Sequence, residues 1–326
     1  MATAFSPANS VTTTTAATFI PEIWSDEIVA AYKKNLVLAN LVQKMNFKGK
    51  KGDTVHVPSP TRGSASAKAA TNAVTLIAAT ESEVQILINK HYEYSRLIED
   101  IVETQALNSL RQFYTGDAGY ALARQVDTDL VRLGRYFNGS TVGTDDYATA
   151  ATATTAYIGS NGTTAYNSST SNAAALTDAA VRRTIQRLDD NDTPMDGRFF
   201  IIPPSSRNTL MGLARYTEQA FIGEAGANNT IRNGEIGNLY GIPVFVTSNA
   251  DFGAGNSGTD RICLMGHKES MVLVEQMGVR SQTQYKQEYL GTLFTADTLY
   301  GVKAMRTAAT TGAATSSSAF ALAVPA

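Results

Sequence analysis

The sequence has little charge of either sign. Only 17% of its 326 residues are charged, and the formal net charge is −2. A chain so close to neutrality produces no strong field that would concentrate nucleic acid or a membrane surface around it. We therefore expect any contact with DNA to be weak and to read no base sequence.

Cysteine is almost absent as well. The single residue, Cys263, cannot form a disulfide within the chain, which is typical of a protein that folds in a reducing cytosol. We predict that it is a small buried side chain in a strand over Arg261–Met265. The first residues, MATAFSPANSVTTTT, have neither the basic start nor the apolar core of a secretory signal. No apolar run is long enough to span a bilayer, so we expect no membrane partner.

Two glycine motifs lack the features that nucleotide binding requires. GAGNSG, from Gly253 to Gly258, has the spacing of a dinucleotide fingerprint, but a strand and not a helix is predicted to follow it. GRYFNGST, from Gly134 to Thr141, has P-loop glycine spacing without the lysine that meets phosphate. We predict a loop between strands and a helix end, respectively, and no cofactor.

Arrangements for catalysis or metal binding are also missing. The histidines at 56, 91 and 267 are far apart, and no G-x-S-x-G motif is present. Acids cluster at Glu99-Asp100, Asp145-Asp146 and Asp189–Asp192, but adjacent acids point apart and favour solvated faces or turns. The last cluster lacks the bidentate glutamate of a calcium loop. We therefore predict that the protein is not an enzyme and holds no metal.

The two ends are rich in threonine, alanine and serine. Residues 1–18 and 308–326 have too few apolar side chains to fold alone, and we expect both to lie on neighbouring subunits. Between Pro21 and Val42, apolar residues recur at helical spacing. Trp24 is the anchor of that helix, and it would be an interface hot spot if the helix packs across subunits.

Two strands are predicted next, over Lys48–Pro58 and Glu83–Lys90, separated by a polar tip over Ser59–Thr80. Two strands with so long a tip are marginal in water, so the ribbon needs a surface to lie on. The densest run of lysines indicates a solvated strand edge protected from aggregation, although contact with phosphate or another subunit stays open. They are Lys44, Lys48, Lys50 and Lys51.

A long helix is predicted after Gly116, which we expect to interrupt the helical stretch. Its apolar residues follow at steps of three and four from Leu122 to Phe137. Asp127 and Asp129 pair in sequence with Arg124 and Arg132, and we expect both pairs on the solvated side of the helix. Asn138-Gly139 ends it.

A second unit of helices and strands follows. We predict a surface insertion over 141–172, a short helix capped by Thr177 or Asp178, a buried strand over Arg198–Ile202, and a helix from Ser205 or Ser206 to Leu213. Loops are expected over Tyr216–Thr230 and Asp251–Asp260, and strands dominate from Arg261 to Arg306.

Two segments near the end of the chain carry the most information. GEIGNLYGIPVFVTSN, from Gly234 to Asn249, and FTADTLYGVKAMR, from Phe294 to Arg306, each predict a strand introduced by a glycine-containing turn. In this order they resemble the closing strands of the tailed-bacteriophage major capsid protein family. The resemblance covers nearly the whole chain.

That resemblance implies an α+β fold of the Hong Kong 97 type, divided as follows. It implies an N-terminal arm with a helix over 1–47, an extended two-stranded loop over 48–91, a peripheral domain with spine helix and sheet over 92–138 and 265–310, an axial domain over 139–264, and a C-terminal tail over 311–326.

The implied function is structural. Copies of a family member form the pentamers and hexamers of an icosahedral head around double-stranded DNA, and assembly takes place in the host cytoplasm. The implied partners are a scaffolding protein, expected here as a separate chain because no charged helical leader precedes the arm, a portal protein and a decoration protein. We take the following residues as candidates for inter-subunit contact: Trp24, Arg62, Lys68, Gly253, Gly255 and Gly258.

Three alternatives stay open from the sequence. One capsid family member joins Lys and Asn side chains between subunits, and Lys68 is a formal candidate, but its partner and the acidic catalyst cannot be matched in this sequence. An encapsulin shares the fold and encloses protein cargo. A surface-layer protein or adhesin would suit the low charge and Thr/Ala richness, but it would need a secretion signal.

Overall fold

The structure, a computed structural model, describes residues 37–49, 51–60, 65–68, 70, 73–74, 76, 81–101, 110–134, 156–167, 170–213, 237–250, 252–254, 260–305 and 318–326. The expected arm over 1–18, the helix around Trp24, most of the ribbon tip and the loop over Tyr216–Thr230 lie outside the described residues.

The first sheet is built on a long hairpin. Strands β11 (Met271–Lys286) and β12 (Gly291–Ala304) pair antiparallel, and β12 pairs in turn with β4 (Lys90–Glu99). On the other side, β1 (Gln43–Asn46) runs parallel to β11, so the order is β1-β11-β12-β4. Strand β12 contains residues 294–304 of the second signature segment, which confirms the predicted strand over these residues. Lys44 lies on β1 at the edge of this sheet, as the lysine pattern predicts.

A long helix, α2 (Leu110–Leu133), packs across this sheet. Ala118 and Leu122 are buried against Phe294 and Ala296 of β12. The expected interruption at Gly116 is wrong, because the helix runs through it without a break. A glycine inside a helix costs only about 1 kcal/mol, which the packing of a 24-residue helix can offset.

The second sheet has the order β5-β13-β10-β6-β8-β7, with β9 (Phe252–Ala254) paired to β10. Its strands are β5 (Tyr157–Ile158), β6 (Arg198–Ile202), β7 (Asn238–Leu239), β8 (Ile242–Val246), β10 (Asp260–His267) and β13 (Ala319–Val324). Helices α3 (Asp178–Asp190) and α4 (Pro204–Met211) accompany it. The Thr177 hydroxyl accepts a hydrogen bond from the Ala180 amide at 3.3 Å, which confirms the predicted cap.

Two predicted strands in this sheet are confirmed. All five residues of β6 are buried. Cys263 lies in β10 and is fully buried, and this burial raises the pKa of its thiol to about 12. The thiol is therefore an inert part of the core at neutral pH.

The first signature segment is a hairpin, and its turn explains one of its glycines. Tyr240 and Gly241 both have positive φ, 51° and 81°, between β7 and β8. Two successive residues in this region are characteristic of the type I′ turn, whose twist matches that of paired strands. Glycine is favoured at the second position because it has no Cβ to clash there.

The expectation that the C-terminal residues form a tail on a neighbouring subunit is wrong for the last part of the chain. Strand β13 pairs antiparallel with β10 and parallel with β5 inside its own sheet. Its six residues, Ala319–Val324, are all buried. The prediction is wrong because an alanine-rich segment can also form a strand, and its small side chains fit a closely packed interior. Gly266 shows how close this packing is, because a Cβ there would lie 2.6 Å from that of Ala319.

The region expected as a surface insertion also contributes to the core. Ala156 and Tyr166 are buried with Ile262, Ala321 and Ala323. The Tyr166 hydroxyl donates to Asp260 at 2.6 Å, which satisfies both groups in the interior. The described residues 156–167 are therefore part of the second sheet and its packing.

The ribbon consists of β2 (Thr54–Pro60) and β3 (Glu81–Leu87), which pair only with each other. Val84, Ile86 and Ile88 are buried at alternate positions, as predicted. A short helix, α1 (Leu38–Leu41), precedes β1 and is packed against α2.

Deleting residues 318–326 should prevent stable folding, because it removes a fully buried strand that pairs with β10 in the second sheet. The point change Leu322→Ala should cost about 2–5 kcal/mol of unfolding free energy by leaving a cavity. Urea unfolding followed by circular dichroism measures both effects. Deletion of the exposed residues Pro325 and Ala326 is the matched control and should change little. A truncated chain as stable as the native one would show that β13 is dispensable.

Candidate assembly site

Helix α2 carries two buried carboxylates, Asp127 and Asp129, which we call the spine carboxylates. Asp127 Oδ1 accepts hydrogen bonds from the backbone amides of Leu38 at 2.8 Å and Ala39 at 3.2 Å. These are the first amides of α1, and a carboxylate there caps the helix as a cap residue within the helix would. Asp127 Oδ2 accepts from Asn249 Nδ2 at 2.9 Å. Asp127 therefore joins α1, α2 and the second sheet.

Asp129 makes the corresponding contacts with the first sheet. Its Oδ2 accepts from the Tyr300 hydroxyl at 2.8 Å and lies 3.7 Å from the ammonium of Lys90. Its Oδ1 accepts from Gln125 Nε2 at 2.8 Å. The Asp129 side chain is fully buried, and that of Lys90 is 11% exposed. A buried carboxylate is costly unless it is paired and hydrogen-bonded, and Asp129 is both.

The prediction that these acids lie on the solvated side of the helix is wrong. Residues of an α-helix are about 100° apart around its axis, so residues two apart project about 200° apart. The spine carboxylates therefore cannot share one exposed face. Each meets a different part of the molecule, because α2 has the first sheet on one side and α1 with the second sheet on the other.

The base of the ribbon lies across β12 at Gly301. A Cβ at this position would overlap the carbonyl oxygen of Leu87, the last residue of β3. The amide of Ile88 donates to the Asp53 carbonyl at 2.8 Å and closes the base. Ile86 and Ile88 are buried with Val272 and Val274 of β11. The glycine of the second signature segment is thus required by a close approach of two backbones.

In the tip of the ribbon, the described residues are exposed. Val74 and Leu76 in the tip are 70% and 90% exposed. On the strands, Gln85 donates a hydrogen bond to Glu83, and His56 Nδ1 lies 2.9 Å from Glu83 Oε2. Both contacts lower the pKa of Glu83, and the one from Gln85 has the larger effect. The tip buries nothing against its own subunit at these positions, so it does not support the core.

The far end of the β11–β12 hairpin presents a second exposed apolar surface, which we call the distal patch. Its residues surround the turn at Leu290 and the end of β4, and each is at least 40% exposed: Leu97, Ile101, Tyr285, Tyr289 and Leu290. The Tyr285 hydroxyl donates to Asp100 at 2.8 Å, which ties β11 to the end of β4. Grouped exposed side chains of this kind mark interaction sites more often than isolated ones.

An ionic cluster stiffens the middle of the first sheet, where the β11–β12 hairpin passes the start of β4. Arg280 of β11 donates to both Asp297 oxygens, at 2.7 and 2.9 Å, and His91 Nε2 of β4 lies 3.0 Å from the same carboxylate. The hydrogen bonds from Arg280, followed by that from His91, lower the pKa of Asp297 to about 2, against the opposing effect of burial. Three strands are connected across the sheet by these side chains.

Few of the residues proposed from the sequence as inter-subunit contacts lie in the described part of the chain. Lys68 is exposed in the tip, and Gly253 lies in β9, paired beside β10. Trp24, Arg62, Gly255 and Gly258 lie outside the described residues. The structure thus describes only two of the six candidates, Lys68 and Gly253. It assembles instead the spine carboxylates with Lys90, Asn249 and Tyr300, of which the last two stand in the signature segments.

Neither a metal site nor a membrane-spanning helix occurs in the described part of the chain. In these ranges no group of three or more His, Cys, Asp or Glu side chains is gathered that could hold a metal ion. None of the helices described has the length and apolarity needed to cross a membrane. A strand, β10, follows the GAGNSG motif, so the helix that a dinucleotide site requires is not there.

Comparison with protein families gives a match over most of the chain. The model of a family described as phage capsid protein matches residues 19–311. A comparison with curated proteins found no relative of this chain.

Solved structures similar to this one include capsid chains of bacteriophages. The capsid structure of the cyanophage P-SCSP1u is 19% identical with a TM-score of 0.72, covering 99% of this chain and 99% of that one. A chain from Mycobacterium phage Che8 is 22% identical with a TM-score of 0.70, covering 93% and 97%. One from the mature capsid of bacteriophage PhiM1 is 13% identical with a TM-score of 0.66, covering 94% and 92%. The α+β fold of the Hong Kong 97 type is thereby confirmed.

Replacing Asp129 by alanine should cost about 3–5 kcal/mol of unfolding free energy, because it leaves the Lys90 ammonium and the Tyr300 hydroxyl without their carboxylate. Urea unfolding of the purified subunit measures the loss. Asp190→Ala, which removes an exposed acid from the end of α3, is the matched control and should stay within about 0.5 kcal/mol. Equal effects of the two changes would contradict the role assigned to Asp129.

Asp297→Asn should destabilise the protein at pH 7 and progressively less as the pH falls. The pKa of Asp297 is about 2 in the folded chain and about 3.9 in an unfolded one. Its ionised form therefore contributes stability that is complete above about pH 4 and lost as the pH falls towards 2. Urea unfolding of both proteins between pH 7 and 2 measures the difference. A difference that stays constant over this range would be inconsistent with the Arg280–Asp297 pairing.

Proposed function

The chain belongs to the phage capsid protein family, and from this membership we propose that its copies form the pentamers and hexamers of an icosahedral head around double-stranded DNA. The protein is a major capsid protein of the virion and is not an enzyme. The encapsulin alternative is not favoured, because the matching family and the similar structures are those of phages.

The observation that carries the proposal is a ribbon whose strands pack on the subunit while the described residues of its tip are exposed. Ile86 and Ile88 bury the base in the subunit, whereas Val74 and Leu76 in the tip remain 70% and 90% exposed. A two-stranded ribbon is marginally stable in water without a surface to pack on. A neighbouring copy supplies that surface in the proposed shell, so assembly and ordering of the tip occur together.

The distal patch is the second surface that favours assembly. It contains two tyrosines and three aliphatic side chains, all exposed in the isolated subunit. Aromatic residues are enriched at interfaces between subunits, so this composition favours a contact with another copy. Surfaces repeated in identical copies become effective through symmetry, because each small contact recurs at every equivalent position of a closed shell.

The remaining partners are proposed on family membership and charge. A chain of net charge −2 does not attract DNA strongly, so we propose that packaged DNA is enclosed without sequence-specific contact. A scaffolding protein, a portal protein and a decoration protein are proposed partners. We place assembly in the host cytoplasm, where the single buried cysteine would remain reduced.

Removing the ribbon tip, residues 62–79, should leave a folded subunit that no longer forms uniform closed shells. The described tip residues are exposed, so their loss should cost the core little. Negative-stain microscopy and light scattering of the native and deleted chains, each expressed alone and with a scaffolding protein, measure assembly. Circular dichroism checks the fold.

A variant in which residues 62–79 are replaced by a Gly/Ser linker of equal length is the matched control. It keeps the connection and removes the side chains, so it should also fail to assemble if the tip acts through contacts. Normal shells from the deleted chain would show that the tip is not needed. A native chain that stays a compact monomer under all these conditions would overturn the proposed function.

A further inference from the structure

The ribbon is attached to its subunit along a narrow strip. Ile86 and Ile88 pack on Val272 and Val274, and one backbone hydrogen bond of 2.8 Å, from Ile88 to Asp53, closes the base. Apolar contacts are not directional. They therefore hold the base in place without determining the direction in which the ribbon extends over the five residue pairs beyond Val55 and Ile86.

Beside the hydrogen bond of 2.8 Å from Gln276 Nε2 to the Gly52 carbonyl, where the chain enters the ribbon, two directional contacts act where the chain leaves it. The first is the close approach of the Leu87 carbonyl to Gly301, which limits how the chain crosses β12. The second begins three residues later, at Lys90, the first residue of β4. Its ammonium lies 3.7 Å from Asp129 Oδ2 in the interior, so the chain leaving the ribbon is tied to helix α2.

The partner of Lys90 is itself held in place. Asp129 accepts hydrogen bonds from Tyr300 at 2.8 Å and Gln125 at 2.8 Å, and its side chain is fully buried. A polar network whose members are all satisfied is rigid, because any displacement leaves a buried group without its partner. A buried ion pair of this kind contributes more to the choice of one conformation than to the free energy of unfolding. The reason is that the cost of desolvating the two charges offsets much of the attraction between them.

We propose that Lys90 is a positioning residue: its contact with Asp129 sets the angle between the ribbon and helix α2, and through that angle the curvature of the shell. The second step rests on the proposed function, in which the ribbon contacts a neighbouring copy. One ribbon angle repeated in every subunit gives a closed assembly of uniform size, whereas a range of angles gives particles of mixed size or open sheets.

The angle can be measured in the isolated full-length subunit with two spin labels. Glu83→Cys places one label on an exposed position of the ribbon, roughly 16 Å along the strand from Ile88. Ala123→Cys places the other on the exposed side of α2. Native Cys263 is fully buried and should not be labelled. Pulsed electron paramagnetic resonance then reports the distribution of distances between the labels.

Three variants are compared with the native chain in this background. Lys90→Met removes the cation but leaves the Asp129 carboxylate buried without it, so it is expected to lose stability. The double change Lys90→Met/Asp129→Asn removes both charges and keeps an oxygen for the Tyr300 hydroxyl, so it should fold with a thermal midpoint close to that of the native chain. Lys90→Arg keeps the cation and is the conservative control.

The native chain and Lys90→Arg should give one narrow distance distribution, and the double variant a broadened or shifted one. A double variant that is folded and retains the narrow native distribution would overturn the positioning role. This outcome does not depend on assembly, so it is separate from the proposed function.

Shell diameters provide the second measurement. Under conditions in which the native chain forms uniform shells, the double variant should give particles of mixed diameter or open sheets, and Lys90→Arg should restore uniform shells. Uniform native-sized shells from the double variant would overturn the link between ribbon angle and curvature. If the native chain forms no shells, the proposed function fails, and the spin-label distances still decide the role of Lys90.

Discussion

The burial of Asp127 and Asp129 is the constraint on which the rest of the structure depends. Each carboxylate has been removed from water, so each must be met by donors from other parts of the chain. Because the two project about 200° apart from one helix, they draw donors from opposite sides. The amides of α1 and the side chain of Asn249 meet Asp127, and Tyr300 and Lys90 meet Asp129. Helix α2 is thereby fixed relative to both sheets.

The apolar side chains of the described residues form two groups, one buried within the subunit and one exposed. Those of the two sheets and of α2 are buried within the subunit, as the fully buried Leu130, Phe199 and Leu322 show. Those of the ribbon tip and the distal patch stay exposed. An isolated subunit gains nothing from these exposed groups, whereas neighbouring copies in a shell can bury them. A protein that functions by assembly requires both a buried core within each subunit and exposed apolar surfaces that neighbouring copies can cover.

The two signature segments have a common structural role. Asn249 ends the first segment and hydrogen-bonds to Asp127, whereas Tyr300 and Gly301 in the second meet Asp129 and the base of the ribbon. Strand periodicity and turn glycines made both segments recognisable as strands. Nothing in either pattern indicates that the segments converge on one helix, because their partners lie more than a hundred residues away in sequence.

Local features of the sequence were sufficient for the strands of the ribbon, the buried strands at Arg198–Ile202 and around Cys263, and the cap at Thr177. Each depends on the spacing of side chains within a few residues. The tertiary structure alone decided that Asp127 and Asp129 are buried and that the alanine-rich residues 319–324 form a buried strand. Burial of an acid depends on donors supplied by distant segments, and a strand of small residues is stable only where two neighbouring strands approach closely enough to cover it. Neither condition is written in the local sequence, and both exist only after the chain has folded.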